Sequence, residues 1–395
     1  AGRIIVMIIT FFVLAGSIWG RSSSAPKLIK NYFQKTGLFN TISYILAVVF
    51  SIMVIFNVGP ACVLNEAVGA SSVKIARDVF FSIVISGFFV TFLLEYGLLE
   101  FLGTILEPIM RTIFKLPGKS SVDALTSFVC SPAVGVMVTN SLYKGKIYTA
   151  KEAVCITTSF SFVSLGAYAF LSGLAGCEDY YSTIIFTSLL LAFFVAAIMI
   201  RIPPIGKKPD TYYDGRMQTK EEQKPQKYSV QIFKDAYFTA LSKAEETKPQ
   251  AFMDALISAF MFGCKVVSYV VSLSVICLIL ANYTPVISWL GIPVRPILEL
   301  LRIPDAAIIA PSTLAAFVAM SLPATLISGT GVSAAAGFYI VVLSTCQVIF
   351  FTESANAMLD SEIPVDFKDL VIIFLERTII LIPLVALATH IVFGF

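Results

Sequence analysis

Charged side chains are scarce in this sequence: Asp, Glu, Lys and Arg make up only 13% of its 395 residues. A soluble domain carries about 25% of these residues. Apolar residues, in contrast, reach 57%. This balance excludes an ordinary soluble domain and indicates a polytopic membrane protein whose main surroundings are a lipid bilayer. Nucleic acid is not an expected partner.

Histidine is nearly absent as well, because His390 is the one copy in the chain. The seven cysteines show no paired metal-ligand spacing, so we expect no zinc or haem site and no bound cofactor. A disulfide between Cys62 and Cys177 stays open. The sequence also lacks the His-Glu-x-x-His, Gly-x-Ser-x-Gly and Gly-rich phosphate-binding motifs. The expected function is therefore not enzymatic.

Long apolar runs are what the sequence does contain. Eight windows suit membrane spans, at 4–19, 38–58, 79–99, 149–174, 182–201, 252–281, 333–352 and 370–393. Two further apolar segments, 117–145 and 305–330, carry Pro and Ser near their middle, and we predict that they are re-entrant hairpins. The expected fold is all-α, with about eight transmembrane helices and two re-entrant helical hairpins.

A short pattern occurs twice in the chain. The segment from Leu106 to Pro117 is echoed by the segment from Val294 to Pro304. Each copy leads into an interrupted apolar segment, and the interruptions are Ser131-Pro132 and Ser321-Leu322-Pro323. Because one hairpin without a net crossing and three spans separate the copies, we predict two inverted repeats. Interrupted segments at matching positions of two halves point to the substrate site of a transporter.

Basic residues determine the expected orientation and the domain limits. Ten Lys and Arg residues lie between Arg201 and Lys248, which predicts a cytoplasmic linker. The acidic loop at Glu178 then lies outside, and the expected location is the bacterial inner membrane. The predicted domains are 1–78 with N-terminal scaffold helices, 79–201 with the first repeat, 202–250 with the linker and an amphipathic helix, and 251–395 with the second repeat.

The amphipathic helix of the linker has an apolar face with Val230, Phe233, Tyr237 and Leu241. Such a face suits the membrane interface or a docking site on the helix bundle. The sequence leaves both positions open.

Hydroxyl-rich clusters occur within or after the interrupted segments. The candidate substrate-binding residues are Ser120, Ser121, Ser131, Thr158, Ser159, Ser161, Ser312, Thr313, Ser321, Gln347 and Asn356. A single Ser or Thr in a membrane helix usually bonds its own backbone or permits close packing. Four clusters at symmetry-matched places instead predict a polar cavity for a small polar solute.

Glu353 is the candidate for binding a coupling ion, Na+ or H+. It lies in the densest polar cluster, between Thr352 and Ser354, which are candidate ligands of the same ion. A buried acid in such a place binds a cation or takes up a proton. The alternative is that the span ends by Phe351 and leaves Glu353 in solvent. Glu376 and Arg377 follow this cluster and are expected to brace its span.

Several of these segments resemble the nucleoside-recognition Gate domain, which concentrative nucleoside transporters, ferrous iron transport protein B and spore maturation proteins share. Ser164 to Tyr168 is similar to the Val-Leu-Gly-Ala-Tyr motif of the nucleoside transporters, and Leu314 to Ala319 is similar to their Leu-Asn-Glu-Phe-Val-Ala. Cys346 to Glu353 lies opposite their Cys-Gly-Phe-Ala-Asn-Phe-Gly-Ser. The layout of the whole chain is most similar to the YjiH-type Gate proteins.

The resemblance implies the fold and a homo-oligomer, but its details depart from the nucleoside transporters. Their ribose-binding glutamates are replaced by Ser121 and Ala316, and their base-reading asparagine falls opposite Phe350. A pocket that hydrogen-bonds its substrate loses much of its affinity when those partners are deleted. These departures argue against a nucleoside substrate.

The predicted function is secondary active transport of a small polar solute, coupled to an ion or a proton. The hairpin-containing part would move against the scaffold helices. Two alternatives stay open: a Gate-type cation permease, and a membrane organiser that does not transport.

Overall fold

The computed structural model describes residues 2–20, 22, 26, 30, 33, 38–95, 97–129, 131–225, 230–246 and 249–394. Within these ranges the chain is helical and contains no strand, apart from an isolated β-bridge between Thr211 and Met217. Residues 226–229 and 247–248 of the expected linker lie outside the described residues.

Four of the described helices are long and apolar enough to cross a membrane, namely Gly2–Trp19, Glu178–Met199, Ala259–Leu280 and Phe367–Phe393. Their outer faces expose large apolar side chains, such as Phe186 at 71% and Ile391 at 74%. An apolar exterior of this kind suits hydrocarbon rather than water. The protein is therefore a multi-pass, all-α membrane protein.

The scaffold is built from long helices near the N-terminus and one helix after the linker. Besides Gly2–Trp19, these are Leu38–Phe56, Ser71–Glu95 and Pro249–Tyr283. The last two form the most extensive helix pair, with the rings of Phe80 and Phe260 5.8 Å apart. The other helices outside the repeated units are Ala61–Leu64, Leu98–Ile109, Val230–Glu246, Val286–Gly291 and Arg295–Leu300. Short π-helices lie at Glu66–Ala70 and Met110–Phe114.

The first interrupted segment forms a helical hairpin. Its helices are Ser120–Val129 and Pro132–Lys144. They run antiparallel, because the Thr139 hydroxyl donates a 2.8 Å hydrogen bond to Asp123 and Ser127 lies opposite Gly135. A Cβ atom at Gly135 would lie 1.8 Å from Ser127 Oγ, so this close approach requires glycine. We call 120–144 the first hairpin.

The second interrupted segment is less regular. It contains the short helices Ala306–Ile309 and Leu322–Ile327, with 3-10 turns at Ala310–Thr313 and Ala315–Phe317. Pro311 and Pro323 lack amide donors, which limits helix length. The ends of the segment meet, because Asp305 accepts 2.8 Å hydrogen bonds from the N–H and the hydroxyl of Ser333. We call 306–327 the second hairpin.

Two expected spans are wrong as continuous helices. The window 149–174 forms Ala150–Ser159 and Leu165–Leu174, and the window 333–352 forms Ala334–Gln347, after which the chain unwinds before Ser354–Asp360. Because most of the unwound residues are apolar, a hydropathy window does not detect these breaks. We call 150–174 the first broken helix and 334–360 the second broken helix.

Aromatic packing stabilises the break in the first broken helix. The ring of Phe160 lies 5.5 Å from that of Phe114, 5.6 Å from that of Phe193 and 6.1 Å from that of Phe162. Such aromatic contacts bury large apolar areas. The unwound backbone therefore occupies a defined position.

The break in the second broken helix is stabilised by the second hairpin. It begins at Val348, whose φ of 65° is unusual for a β-branched residue. The N–H groups of Phe351 and Thr352 donate to the carbonyls of Phe317 and Val318 at 2.9 and 3.1 Å. Unwound backbone inside a membrane protein persists where neighbouring segments satisfy its polar groups.

Hairpin, broken helix and long helix thus follow one another twice along the chain. The long helices are Tyr181–Met199 in the first half and Phe367–Phe393 in the second half. The halves pack together in the core, where the hydroxyls of Ser188 and Thr345 lie 3.1 Å apart. The inverted orientation of the two halves stays a prediction.

The linker contacts both halves. Lys146, just after the first hairpin, forms a 3.0 Å ion pair with Asp214, and Lys208 forms a 2.6 Å ion pair with Asp369 at the start of the last helix. The hydrogen bond from Lys146 lowers the pKa of Asp214, so this carboxylate stays charged at neutral pH.

The amphipathic helix of the linker, Val230–Glu246, is docked on Leu98–Ile109. It packs through Ile232 and Ala236, which are buried. The expected apolar face is not the docked one, since Phe233, Tyr237 and Leu241 stay exposed. The docked position therefore uses small and branched residues that allow the two helices to approach closely.

Candidate functional site

Four chain breaks meet at one cavity of about 550 Å³. Its lining includes Ser131 at the turn of the first hairpin, Ser164 in the first broken helix, Ser321 in the second hairpin and Glu353 in the second broken helix. The scaffold helices close other sides of the cavity with Lys74, Asp78 and Asn282. Each half of the chain therefore contributes two breaks to the same space.

Each of these four residues is the N-terminal cap of a helix. None of the four side chains forms the usual capping hydrogen bond within the described chain. The hydroxyl of Ser131 is buried and has no partner among the described residues. Helix N-termini also carry unpaired N–H groups and a partial positive charge. The cavity thus lies at the N-terminal ends of helices, where the partial positive charge favours the oxygen atoms of a polar solute.

Glu353 is the unpaired acid of this cavity. In the part of the chain that the structure describes, its carboxylate has neither a hydrogen bond nor an ion pair. The other acid of the lining, Asp78, is paired with Arg77 at 2.6 Å and is half exposed. The helix ends at Gln347, before Phe351, yet the chain stays inside the protein. Glu353 is therefore a cavity residue and not a solvated helix end.

Only part of the predicted substrate site lines the cavity. Ser131 and Ser321 do so. Ser120 and Ser121 lie at the opposite end of a helix of 10 residues, which is about 15 Å long. Their hydroxyls donate to the carbonyls three residues earlier, at 2.7 and 2.8 Å. In this structure these two serines hydrogen-bond the backbone at the start of the first hairpin.

Several other predicted residues bond the backbone of their own segment. The hydroxyls of Thr158 and Thr313 donate to carbonyls in the preceding turn, both at 2.7 Å. Ser354 donates to the carbonyl of Val348 at 2.7 Å and accepts a 3.0 Å bond from the N–H of Phe350. These bonds stay within the backbone of each segment and do not reach into the cavity. Ser161 is buried and does not line the cavity either.

A further group of predicted residues is buried with polar atoms that lack partners among the described residues. These atoms are Ser159 Oγ, Ser312 Oγ, Gln347 Oε1, Thr352 Oγ1 and Asn356 Oδ1. The amide of Gln347 donates to Thr313 and Thr378, both at 2.8 Å, and the amide of Asn356 donates to Phe351. Buried polar atoms are normally paired, so their accumulation beside the two breaks is typical of a functional region.

Sequence reasoning missed some lining residues. Ser164 stands in the hydroxyl-rich segment after Ser159, where its position directly before Leu165 was a usable signal for a helix start. Lys74 and Asp78 could not be identified as cavity residues from the sequence, because they precede the apolar window 79–99. Their place in the cavity depends on tertiary packing.

Comparisons with known proteins found one family model and one relative. Residues 76–177 match the family model Gate, described as nucleoside recognition. The match begins in a scaffold helix and includes the first hairpin and the first broken helix. The chain is also 36% identical over 378 residues to an uncharacterized protein of Alkalihalophilus pseudofirmus, covering 93% of this chain and 81% of that protein. No solved structure matches the chain.

Proposed function

We propose that this chain, which belongs to the family of the Alkalihalophilus pseudofirmus protein and carries a Gate domain, is a secondary transporter of a small polar solute in the bacterial inner membrane. The observation that carries the proposal is the meeting of four chain breaks at one cavity. Broken helices whose ends line a cavity are the usual way in which membrane carriers bind polar solutes.

The hairpins and broken helices form the part that moves in this proposal. The solute binds among the N-terminal caps at Ser131, Ser164 and Ser321, which line the cavity. Movement of these segments against Ser71–Glu95 and Pro249–Tyr283 then exposes the cavity to either side of the membrane in turn. The cavity volume of about 550 Å³ suits a small molecule.

Glu353 couples solute movement to Na+ or H+ in the same proposal. Its support is geometric, because Glu353 is an unpaired carboxylate beside the serines that would hold the solute. The hydroxyl of Thr352 has no partner among the described residues and is a further candidate ligand of the ion. Ser354 contributes by holding the break in place.

Binding of a solute in the cavity is tested by thermal stabilisation of the purified protein. In a screen of small polar solutes, we expect at least one to stabilise the protein by about 2.7 kcal/mol at 100 times its Kd. Ser131→Leu and Ser321→Leu fill the cavity, and we expect both to abolish the shift. Ser141→Leu, on the exposed face of the same hairpin helix, is the matched control and should keep it.

Failure of every solute to stabilise the protein would favour an organiser that does not transport. Stabilisation that survives both cavity variants would place the solute elsewhere.

The orientation in the membrane is tested by labelling in whole cells. Met217, in the linker, and Glu178, in the acidic loop, are both exposed. Each is replaced by a single cysteine. We expect an impermeant maleimide to label Glu178→Cys in intact cells and Met217→Cys only after lysis, because basic residues concentrate in the linker. Labelling of Met217→Cys in intact cells would reverse the proposed orientation.

A further inference from the structure

Arg377 lies inside the long helix Phe367–Phe393 and has no exposed surface, at 0%. In the part of the chain that the structure describes, its hydrogen bonds go to two backbone carbonyls and to no carboxylate. A charge without an acidic partner inside a membrane protein is costly and is usually functional. The proposed solute cavity does not include this residue.

The two carbonyls occupy matched positions in the two halves of the chain. Nε of Arg377 donates to the carbonyl of Cys346 at 2.5 Å, and Nη1 donates to the carbonyl of Thr158 at 3.4 Å. Thr158 is the second-last residue of Ala150–Ser159, and Cys346 is the second-last residue of Ala334–Gln347. One guanidinium group therefore joins the C-terminal ends of the first parts of both broken helices.

The charges at this point balance. The C-terminal end of a helix carries about half a negative elementary charge. Two such ends together carry about one negative charge, which matches the single positive charge of Arg377. In ion-coupled carriers, half-helix C-terminal ends and unwound carbonyls are the groups that coordinate a cation. Here a side chain supplies the cation.

Packing alone does not account for an arginine at this position. Its third nitrogen, Nη2, is buried and has no hydrogen-bond partner among the described residues. A buried carbonyl that loses its donor costs free energy, and an apolar side chain of similar volume would leave the carbonyls of Cys346 and Thr158 without Arg377. The charge and the donor geometry must therefore matter for the two helix ends.

We infer that Arg377 is a tethered cation, a positioning residue that holds the ends of both broken helices where a free metal cation would otherwise be needed. The statement that Arg377 positions the breaks around a solute rests on the proposed function. The statement that Arg377 supplies the cation at the two helix ends does not. A coupling ion would then bind at a different place, in the cavity, where Glu353 is the acid without a partner among the described residues.

Chemical rescue tests this inference without any solute. In purified Arg377→Ala we expect the melting temperature to fall by about 5 °C or more. Methylguanidinium at millimolar concentration should restore most of the loss, because it fits the vacated space and carries the charge. Urea, which is similar in shape but neutral, should restore none of it. Wild-type protein should respond to neither compound.

Two further variants keep the test decisive if Arg377→Ala does not fold. Arg377→Met keeps the volume without the charge and should also melt at least about 5 °C lower than wild type. Arg377→Lys keeps the charge but lacks the planar fork of donors, and it should be intermediate. Equal stability of Arg377→Met and wild type, or equal rescue by urea and methylguanidinium, would overturn the inference.

A positioning role also predicts a change at the break itself. In a background without native cysteines, a cysteine at Ser164 reports the accessibility of the first break. Its maleimide labelling rate should change in Arg377→Ala and return to the wild-type rate with methylguanidinium. An unchanged rate would reduce Arg377 to a structural contact, whether or not the cavity proves to bind a solute.

Discussion

Glu353→Gln should abolish the ion dependence of transport while the protein still folds. Coupling between two bound ligands typically changes affinity by about 5- to 150-fold, and we expect this factor to fall to about one in the variant. The reason is that Glu353 is the carboxylate of the cavity without a partner among the described residues, whereas glutamine has the same shape but neither binds a cation strongly nor takes up a proton. Uptake into proteoliposomes with and without an Na+ or pH gradient measures the effect, using the solute found by thermal stabilisation.

Asp78→Asn is the matched control for this experiment. Asp78 also lines the cavity, but it is paired with Arg77 at 2.6 Å and is half exposed. We expect the variant to keep its ion dependence. If Asp78→Asn loses the dependence and Glu353→Gln keeps it, the coupling group is Asp78 and the assignment of Glu353 is wrong.

Arg111→Met should be the most destabilising single substitution proposed for this protein. Arg111 forms ion pairs with Glu107 at 2.9 Å and with Glu152 at 2.5 Å, and the side chains of Arg111 and Glu152 are only 8% and 3% exposed. Glu107 in turn accepts a hydrogen bond from the N–H of Gly118, at the entry to the first hairpin. Removal of the guanidinium leaves two carboxylates without their cation, which costs about 3–5 kcal/mol.

This loss should appear as a melting temperature lower by about 10 °C in detergent. The control is Arg295→Met, in the second copy of the same sequence pattern. Its ion pair with Glu299 is 2.7 Å long but is more than half exposed on both sides, and exposed pairs contribute about 0–1 kcal/mol. A similar fall in melting temperature in the two variants would show that burial of the Arg111 ion pairs does not determine how much they stabilise the protein.

The repeated pattern was predictable because local chemistry produces it. Proline removes a backbone donor and disfavours the interior of a helix, and Pro132 and Pro323 both lie at helix starts in the structure. The turn residues Ser131 and Ser321 could therefore be named from the sequence, and both line the cavity. Their role in binding a solute stays a prediction.

The breaks at Phe160 and Val348 were not predictable in the same way. The unwound residues are as apolar as a helix, so hydropathy continues through them. What unwinds them is the aromatic packing around Phe160 and the backbone pairing of Phe351 with Phe317. Both contacts come from segments distant in sequence.

The sequence by itself determined a multi-pass helical protein, its two interrupted segments and the candidate acid Glu353, because composition, proline and charge act locally. Tertiary structure alone decided that the breaks of both halves meet at one cavity, that Lys74 and Asp78 belong to it and that Arg377 joins two helix ends. The physical reason is that a hydroxyl or a charge in an apolar segment looks the same in sequence in either case. It can bond its own helix, as Thr158 does, or belong to a residue that lines a cavity, as Ser321 does.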